Sequence, residues 1–71
     1  MTQETLTING VERPFDAGLP ATLAELLGRL GIDAATVVAE IDGRIVERKA
    51  FSSTTLRPGQ ALELIRFVGG G

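Results

Sequence analysis

The 71-residue sequence contains no Cys, His, Trp or Tyr. Without Cys it has no disulfide framework, no thiolate nucleophile and no thiolate metal ligand. Without His it lacks the most frequent general base and the most frequent metal ligand, so we assign no metal and no cofactor. These absences disfavour an enzyme with an acid–base or metal-dependent active site of its own.

Charge and hydropathy exclude further classes of protein. Seven basic and nine acidic residues give a net charge of −2 and are interspersed along the chain, unlike the concentrated basic surface of a nucleic-acid-binding protein. No apolar run approaches the roughly 18 residues needed to span a bilayer. The stretch from Met1 to Gly10 lacks the basic and apolar regions of a signal peptide. We therefore expect one small cytoplasmic domain that binds neither nucleic acid nor a membrane.

The first part of the chain predicts a β-hairpin. Residues from Glu4 to Ile8 alternate between polar and apolar side chains, as in a strand with one buried face. Asn9-Gly10 is the dipeptide that best suits a two-residue type I′ turn, and Val11 to Phe15 returns as the second strand. That turn places Arg13 on the apolar face, where it fits poorly, so the register of this hairpin stays open.

A helix follows, marked at both of its ends. Thr22 and Glu25 have the spacing of a capping box, and Gly31 occupies the position where a left-handed residue ends a helix. Between them, four leucines recur at i, i+3, i+4 and i+7 and form one apolar stripe, namely Leu23, Leu26, Leu27 and Leu30.

The second half of the chain predicts another hairpin, a crossover and a last strand. Asp42-Gly43 is a second hairpin signal, and Pro58-Gly59 suits the centre of a type II turn. Alternation leaves the face and the register of this hairpin open. The expected segments are strands over 37–41 and 44–47, an irregular crossover over 48–56 with a helical turn near Phe51, and a strand over 61–67.

This order of elements predicts an α+β fold in which one helix packs on one face of a mixed, five-stranded sheet. The last strand is expected beside the first, in the middle of the sheet. Because side chains alternate along a strand, Leu62 and Leu64 share a face that we assign to the core. Ile65 and Phe67 then lie on the uncovered face, where exposed apolar groups commonly mark a partner site. The alternative is that Phe67 folds back to shield the end of the sheet.

The chain closes on Gly69, Gly70 and Gly71, which follow Val68. Glycine has no Cβ, and three extended residues reach about 10 Å, so such a tail suits a narrow slot in another protein. We expect a domain over residues 1–68 and a flexible tail over residues 69–71. A frayed terminus without function is the simpler alternative.

Taken together, the elements resemble the β-grasp, or ubiquitin-like, fold. More closely, the chain resembles the ThiS family, the bacterial sulfur carriers of thiamin biosynthesis. The terminal Phe67-Val68-Gly69-Gly70-Gly71 is the most specific part of this resemblance. The small subunit of molybdopterin synthase shares a Gly-Gly end but is usually longer, with a Pro-containing approach to it. The weaker shared motifs are Asn9-Gly10, Thr22 to Leu27, Ile41 to Val46 and Arg57 to Gln60.

The resemblance implies a carrier and not an enzyme. The Gly71 carboxylate would be adenylated with ATP by an E1-like adenylating enzyme of the ThiF type. It would then be converted to a thiocarboxylate with sulfur from a donor such as a cysteine desulfurase. That group would deliver sulfur to a thiazole synthase of the ThiG type. The partner-binding residues would be Ile65, Phe67, Val68, Gly69 and Gly70.

Several alternatives stay open on the sequence alone. The sulfur could serve molybdopterin or another pathway, the domain could be a β-grasp interaction module, or the chain could be an isopeptide modifier like ubiquitin. Three polar groups have simple structural interpretations. The hydroxyl run over 52–55 is best interpreted as a loop or cap, and Glu40 with Asp42 as a solvent-facing acidic pair. Arg44 with Arg48 and Lys49 is best interpreted as a solvated basic edge.

Overall fold

The computed structural model describes residues 4–67. The predicted tail of Gly69, Gly70 and Gly71, together with Val68, lies outside these residues. The expected boundary between a domain over 1–68 and a tail over 69–71 therefore stays a prediction.

The described chain has five strands, one α-helix and two short 3₁₀ segments. Each predicted element is present, and the predicted helical turn near Phe51 is the second 3₁₀ segment. The last strand and the fourth strand each end one residue earlier than expected, at Arg66 and Val46. The elements are β1 Glu4–Ile8, β2 Val11–Phe15, α1 Leu23–Leu30, a 3₁₀ segment Ala34–Thr36, β3 Val37–Ile41, β4 Arg44–Val46, a 3₁₀ segment Arg48–Ser53 and β5 Ala61–Arg66.

The strands form one sheet in the order β2-β1-β5-β3-β4. β1 and β5 are parallel, whereas the other neighbouring strands are antiparallel. The predicted α+β fold and the predicted central pair of first and last strands are thus confirmed. The open question of Arg13 is answered by its position, because it faces Leu6 in the expected register but lies exposed on an edge strand.

Both predicted hairpin turns have the type I′ backbone. Asn9 and Gly10 have φ angles of 52° and 81°, and Asp42 and Gly43 have φ angles of 51° and 85°. Asn and Asp tolerate this left-handed region better than other residues with a side chain. Each two-residue turn fixes the register of its hairpin, with Ile8 opposite Val11 in one.

The first residue of each turn also holds β5 through its side chain. The Asn9 Oδ1 accepts a hydrogen bond from the Leu64 N–H at 2.8 Å, and the Asn9 Nδ2 donates to the Leu64 carbonyl at 3.2 Å. On the other side of β5, the Asp42 Oδ1 accepts from the Ala61 N–H at 2.9 Å. The backbone of β1 turns away from β5 at Asn9. The Asn9 carboxamide takes the place of a backbone peptide group and bonds to Leu64 as one more residue of β1 would.

The ends of α1 confirm the predicted caps with one difference. The Thr22 Oγ1 accepts from the Glu25 N–H at 3.2 Å, but the Glu25 Oε2 accepts from the Ala21 N–H at 3.1 Å and not from that of Thr22. At the other end Gly31 has a φ of 71°. The Gly31 and Ile32 N–H groups bond to the carbonyls of Gly28 and Leu27, which is a Schellman motif.

The core lies between α1 and one face of the sheet. The leucine stripe of α1 is buried, apart from a half-buried Leu30, and Phe51 and Leu56 of the crossover join it. Leu62 and Leu64 are buried as predicted. The sheet contributes the other side chains of the core cluster, which are Leu6, Ile8, Val37, Ala39 and Ile41.

We predict that Asn9→Gly lowers the free energy of unfolding by about 2 kcal/mol. Glycine keeps the left-handed turn, whereas both hydrogen bonds to Leu64 are lost at about 1 kcal/mol each. Asn9→Asp keeps an acceptor for the Leu64 N–H and should lose about half as much. Urea denaturation measures both. Equal stability of Asn9→Gly and the unchanged protein would contradict a role for the carboxamide.

Candidate functional site

Ile65 and Phe67 lie at the end of the central strand β5, where the chain enters its last four residues. Ile65 is 53% exposed and Phe67 is 50% exposed. Because α1 covers the face that carries Leu62 and Leu64, these two side chains lie on the opposite face. Their predicted exposure is therefore confirmed, while their role in binding a partner stays a prediction.

The backbone holds this segment in place while the side chains remain accessible. Ile65 lies opposite Val38 of β3, and the Phe67 N–H donates to the Thr36 carbonyl at 3.0 Å. Phe67 is half exposed and lies outside the core, while the alternative in which its ring folds back to shield the end of the sheet stays a prediction that the stability of Phe67→Ala tests. The chain is thus extended alongside the sheet up to Phe67, and any tail beyond it starts from a fixed point.

Ile45 adds a third exposed apolar side chain to the same face. It is 69% exposed and lies opposite Glu40, whose neighbours Ala39 and Ile41 are buried. Ile45 was not among the predicted site residues, because alternation alone does not show which face of the second hairpin is covered. The turn at Asp42-Gly43 could have settled it, since it fixes the register. We call Val38, Ile45, Ile65 and Phe67 the apolar patch.

The two carboxylates considered as an acidic pair have different surroundings. Asp42 accepts the Ala61 N–H and therefore belongs to the turn. Glu40 lies opposite Glu63 on β5. Among residues 4–67 there is no group of three or more acidic or other metal-ligating residues that could hold a metal ion.

The remaining polar groups behave as the sequence suggests. The Ser53 and Thr54 hydroxyls donate to the Ala50 carbonyl at 3.1 and 2.6 Å, so part of the hydroxyl run caps the 3₁₀ segment. Arg44, Arg48 and Lys49 are exposed. Of these, the Lys49 Nζ lies 3.5 Å from a carboxylate oxygen of Glu47. None of these groups forms an activated nucleophile.

An open depression of about 530 Å³ lies beside the second hairpin. Its polar lining includes Asp42, Thr54 and Gln60, and each of these side chains bonds to the backbone, of Ala61, Ala50 and Arg57 respectively. These side chains hold loops in place, so we assign no substrate to the depression.

In the described part of the chain, α1 and the other helical segments are too short to cross a membrane.

Three comparisons relate the chain to known proteins. The model of the ThiS family matches residues 3–71. The crystal structure of a thiamine biosynthesis protein (ThiS) from Geobacter metallireducens superposes with a TM-score of 0.81 at 38% identity, covering 94% of this chain and 99% of that chain. This likeness confirms the β-grasp fold.

Two relatives differ in length. A thiazole synthase of Paramagnetospirillum magneticum is 39% identical over 66 residues, which are 93% of this chain and 20% of the relative. This chain thus spans about a fifth of that protein. An uncharacterized protein, ycf40, of Pyropia yezoensis is 34% identical over 67 residues, covering 94% of this chain and 92% of the relative.

The exposure of Phe67 predicts a contrast with Phe51, which is 3% exposed. Phe67→Ala should change the free energy of unfolding by less than about 1 kcal/mol, whereas Phe51→Ala should lower it by about 3–5 kcal/mol, as for a core phenylalanine. Urea denaturation of the two variants provides the test. Similar losses in both would show that Phe67 is part of the folded core.

Proposed function

The chain belongs to the ThiS family, the sulfur carriers of thiamin biosynthesis, and we propose that it carries sulfur as a thiocarboxylate on Gly71. The observation that supports this most is the match to a ThiS structure over 94% of this chain and 99% of that chain. The proposal requires Gly71 to be the last residue of the carrier and assigns residues 1–68 to the domain and residues 69–71 to the tail.

Activation of Gly71 requires an adenylating partner. A terminal carboxylate has a reference pKa of about 3.3–3.7, so it is ionised at neutral pH and is a poor electrophile. In the active site of an E1-like enzyme of the ThiF type, the carboxylate would attack the α-phosphate of ATP, which releases pyrophosphate and forms an acyl-adenylate. The terminal sulfur of a persulfide on a donor such as a cysteine desulfurase would then displace AMP and form an acyl disulfide with the donor. A second thiol from a partner protein or a small-molecule reductant would cleave this disulfide, leaving the thiocarboxylate on Gly71 and a disulfide between the two thiols.

Thiazole synthase is the proposed acceptor of this sulfur. The relative from Paramagnetospirillum magneticum bears that name, and a fifth of its length is similar to this chain. A carrier and a thiazole synthase within one polypeptide would favour sulfur transfer over a short distance, because a linked partner has a high effective concentration. For a separate carrier, a docking surface has to supply the same proximity.

We propose that the chain is a carrier with no catalytic activity of its own. In this proposal Ile65 and Phe67 dock onto both the adenylating enzyme and the thiazole synthase. Phe67 is fixed through its N–H on Thr36, so docking there would direct Val68, Gly69 and Gly70 into each active site. The absence of side chains on the glycines would let them enter a narrow slot.

Deletion of Gly71 should abolish ATP-dependent thiocarboxylate formation without changing the thermal midpoint of unfolding, because the buried side chains among residues 4–67 lie between Leu6 and Leu64. Intact mass spectrometry after incubation with the adenylating enzyme, ATP and a sulfur donor detects the replacement of oxygen by sulfur. A truncated protein that still gains sulfur would place the chemistry elsewhere.

Phe67→Ala should weaken binding to the thiazole synthase by about 2 kcal/mol, as expected for an aromatic hot spot. Val11→Ala is the matched control, because Val11 is also exposed but lies on the edge strand β2 and should bind like the unchanged protein. Isothermal titration calorimetry measures both. Equal binding by all three proteins would exclude Phe67 from the docking surface.

A further inference from the structure

The two faces of the sheet carry different strand charges, since the helix side carries arginines together with Glu4, which lies opposite Phe15. Three arginines lie opposite buried residues on the helix side, since Arg13, Arg44 and Arg66 face Leu6, Ile41 and Val37. The uncovered face carries acids and no base in β1 to β5: Glu12 lies opposite Thr7, and Glu40 lies opposite Glu63. The strand residues of this face therefore carry charge of one sign only.

Glu40 and Glu63 form a like-charged pair at the centre of this face. They lie directly opposite each other on β3 and β5, and like charges in such positions destabilise a sheet. Within residues 4–67 the ion pairs involve other acids, Glu25 with Arg29 and Glu47 with Lys49. Replacement of either glutamate by a basic residue would remove the repulsion between them. A basic side chain of a partner protein, placed between the two carboxylates, would have the same effect.

The pair lies among the side chains of the apolar patch. Ile45 is the cross-strand neighbour of Glu40, and Ile65 is two residues from Glu63 along β5. Any partner that buries Ile45 and Ile65 also removes water from the two carboxylates. Burial of carboxylates without a cation is costly. The apolar patch therefore fits a surface that also presents Arg or Lys.

The charge of this face argues against other occupants. A second copy docked face to face would bring Glu40 and Glu63 against the same acids of the other copy. Nucleic acid and anionic lipid surfaces would be repelled in the same way.

We infer that the uncovered face binds a basic surface of the thiazole synthase, in which Arg or Lys side chains bond to Glu40 and Glu63 while apolar side chains cover Ile45 and Ile65. This inference rests on the proposed function for the choice of partner. A guanidinium is well suited to such a site, because its donors match carboxylate oxygens in a planar, bidentate geometry.

The test compares Glu40→Gln/Glu63→Gln with the unchanged protein. Biolayer interferometry with the immobilised thiazole synthase of the same organism measures Kd at about 0.05 M and about 0.5 M NaCl, where screening differs strongly. The double variant should bind about tenfold more weakly at low salt, and the difference should largely disappear at high salt. Its thermal midpoint should be equal or higher, because a repulsion has been removed.

Glu12→Gln is the matched control, compared with Glu63→Gln alone. Glu12 lies on the same face, but on the edge strand β2, two strands away from β5. It should leave Kd nearly unchanged, whereas Glu63→Gln should weaken binding. Equal weakening of binding by Glu12→Gln and Glu63→Gln would show that only the net charge of the protein matters and would overturn the inference. Unchanged or tighter binding by the double variant would also overturn it. Dimerisation of the unchanged protein that needs Glu40 and Glu63, seen by sedimentation, would also overturn it.

The proposed function is decided by a separate measurement on the same preparations. Sulfur gain on Gly71, followed by intact mass, tests the carrier chemistry, and the binding titration tests the acidic face. An unchanged protein that gains sulfur while the double variant binds normally would reject the inference and leave the carrier function standing.

Discussion

The position of β5 between β1 and β3 is the constraint on which the rest of the structure depends. It brings the last strand into the centre of the sheet, where Leu62 and Leu64 complete the core. The hydrogen bonds between Asn9 and Leu64 join residues 55 positions apart, so forming this contact carries the entropic cost of closing a long loop. As a consequence, the segment next to the proposed reactive end continues from the central strand of the sheet and not from an edge strand.

Features of the fold that depend on local chemistry could be predicted from the sequence. Asn9-Gly10 and Asp42-Gly43 specify type I′ turns because few residue pairs accept positive φ at both positions. Thr22 and Gly31 specify the ends of α1 for similar reasons, since each satisfies backbone groups that the helix leaves unpaired. The central position of β5 was also predicted, from the apolar character of the two terminal strands.

Features that depend on cross-strand neighbours could not be predicted in the same way. The second side-chain role of Asn9 requires a strand that is distant in sequence, and nothing near Asn9 identifies Leu64 as its partner. Ile45 was missed because alternation is the same whichever face the helix covers. The pairing of Glu40 with Glu63 likewise follows only from the β3–β5 register, which no turn between these strands fixes.

A domain of this size with one helix cannot cover both faces of its sheet, so one face is buried in the core and the other is exposed to solvent. On the helix side, the buried side chains lie beneath the leucines of α1, and the strand arginines are exposed. On the other side, the exposed Ile45, Ile65 and half-exposed Phe67 would favour non-specific association if they stood alone. Glu40 and Glu63 counter that tendency, because unpaired charges resist burial against an apolar or acidic surface. Like charges directly opposite each other lower the stability of a sheet, and the margin of a small domain is only a few kcal/mol. In the proposed docking, the same pair of charges would restrict the apolar patch to a surface that supplies cations, so selectivity and affinity would come from neighbouring residues of one sheet face.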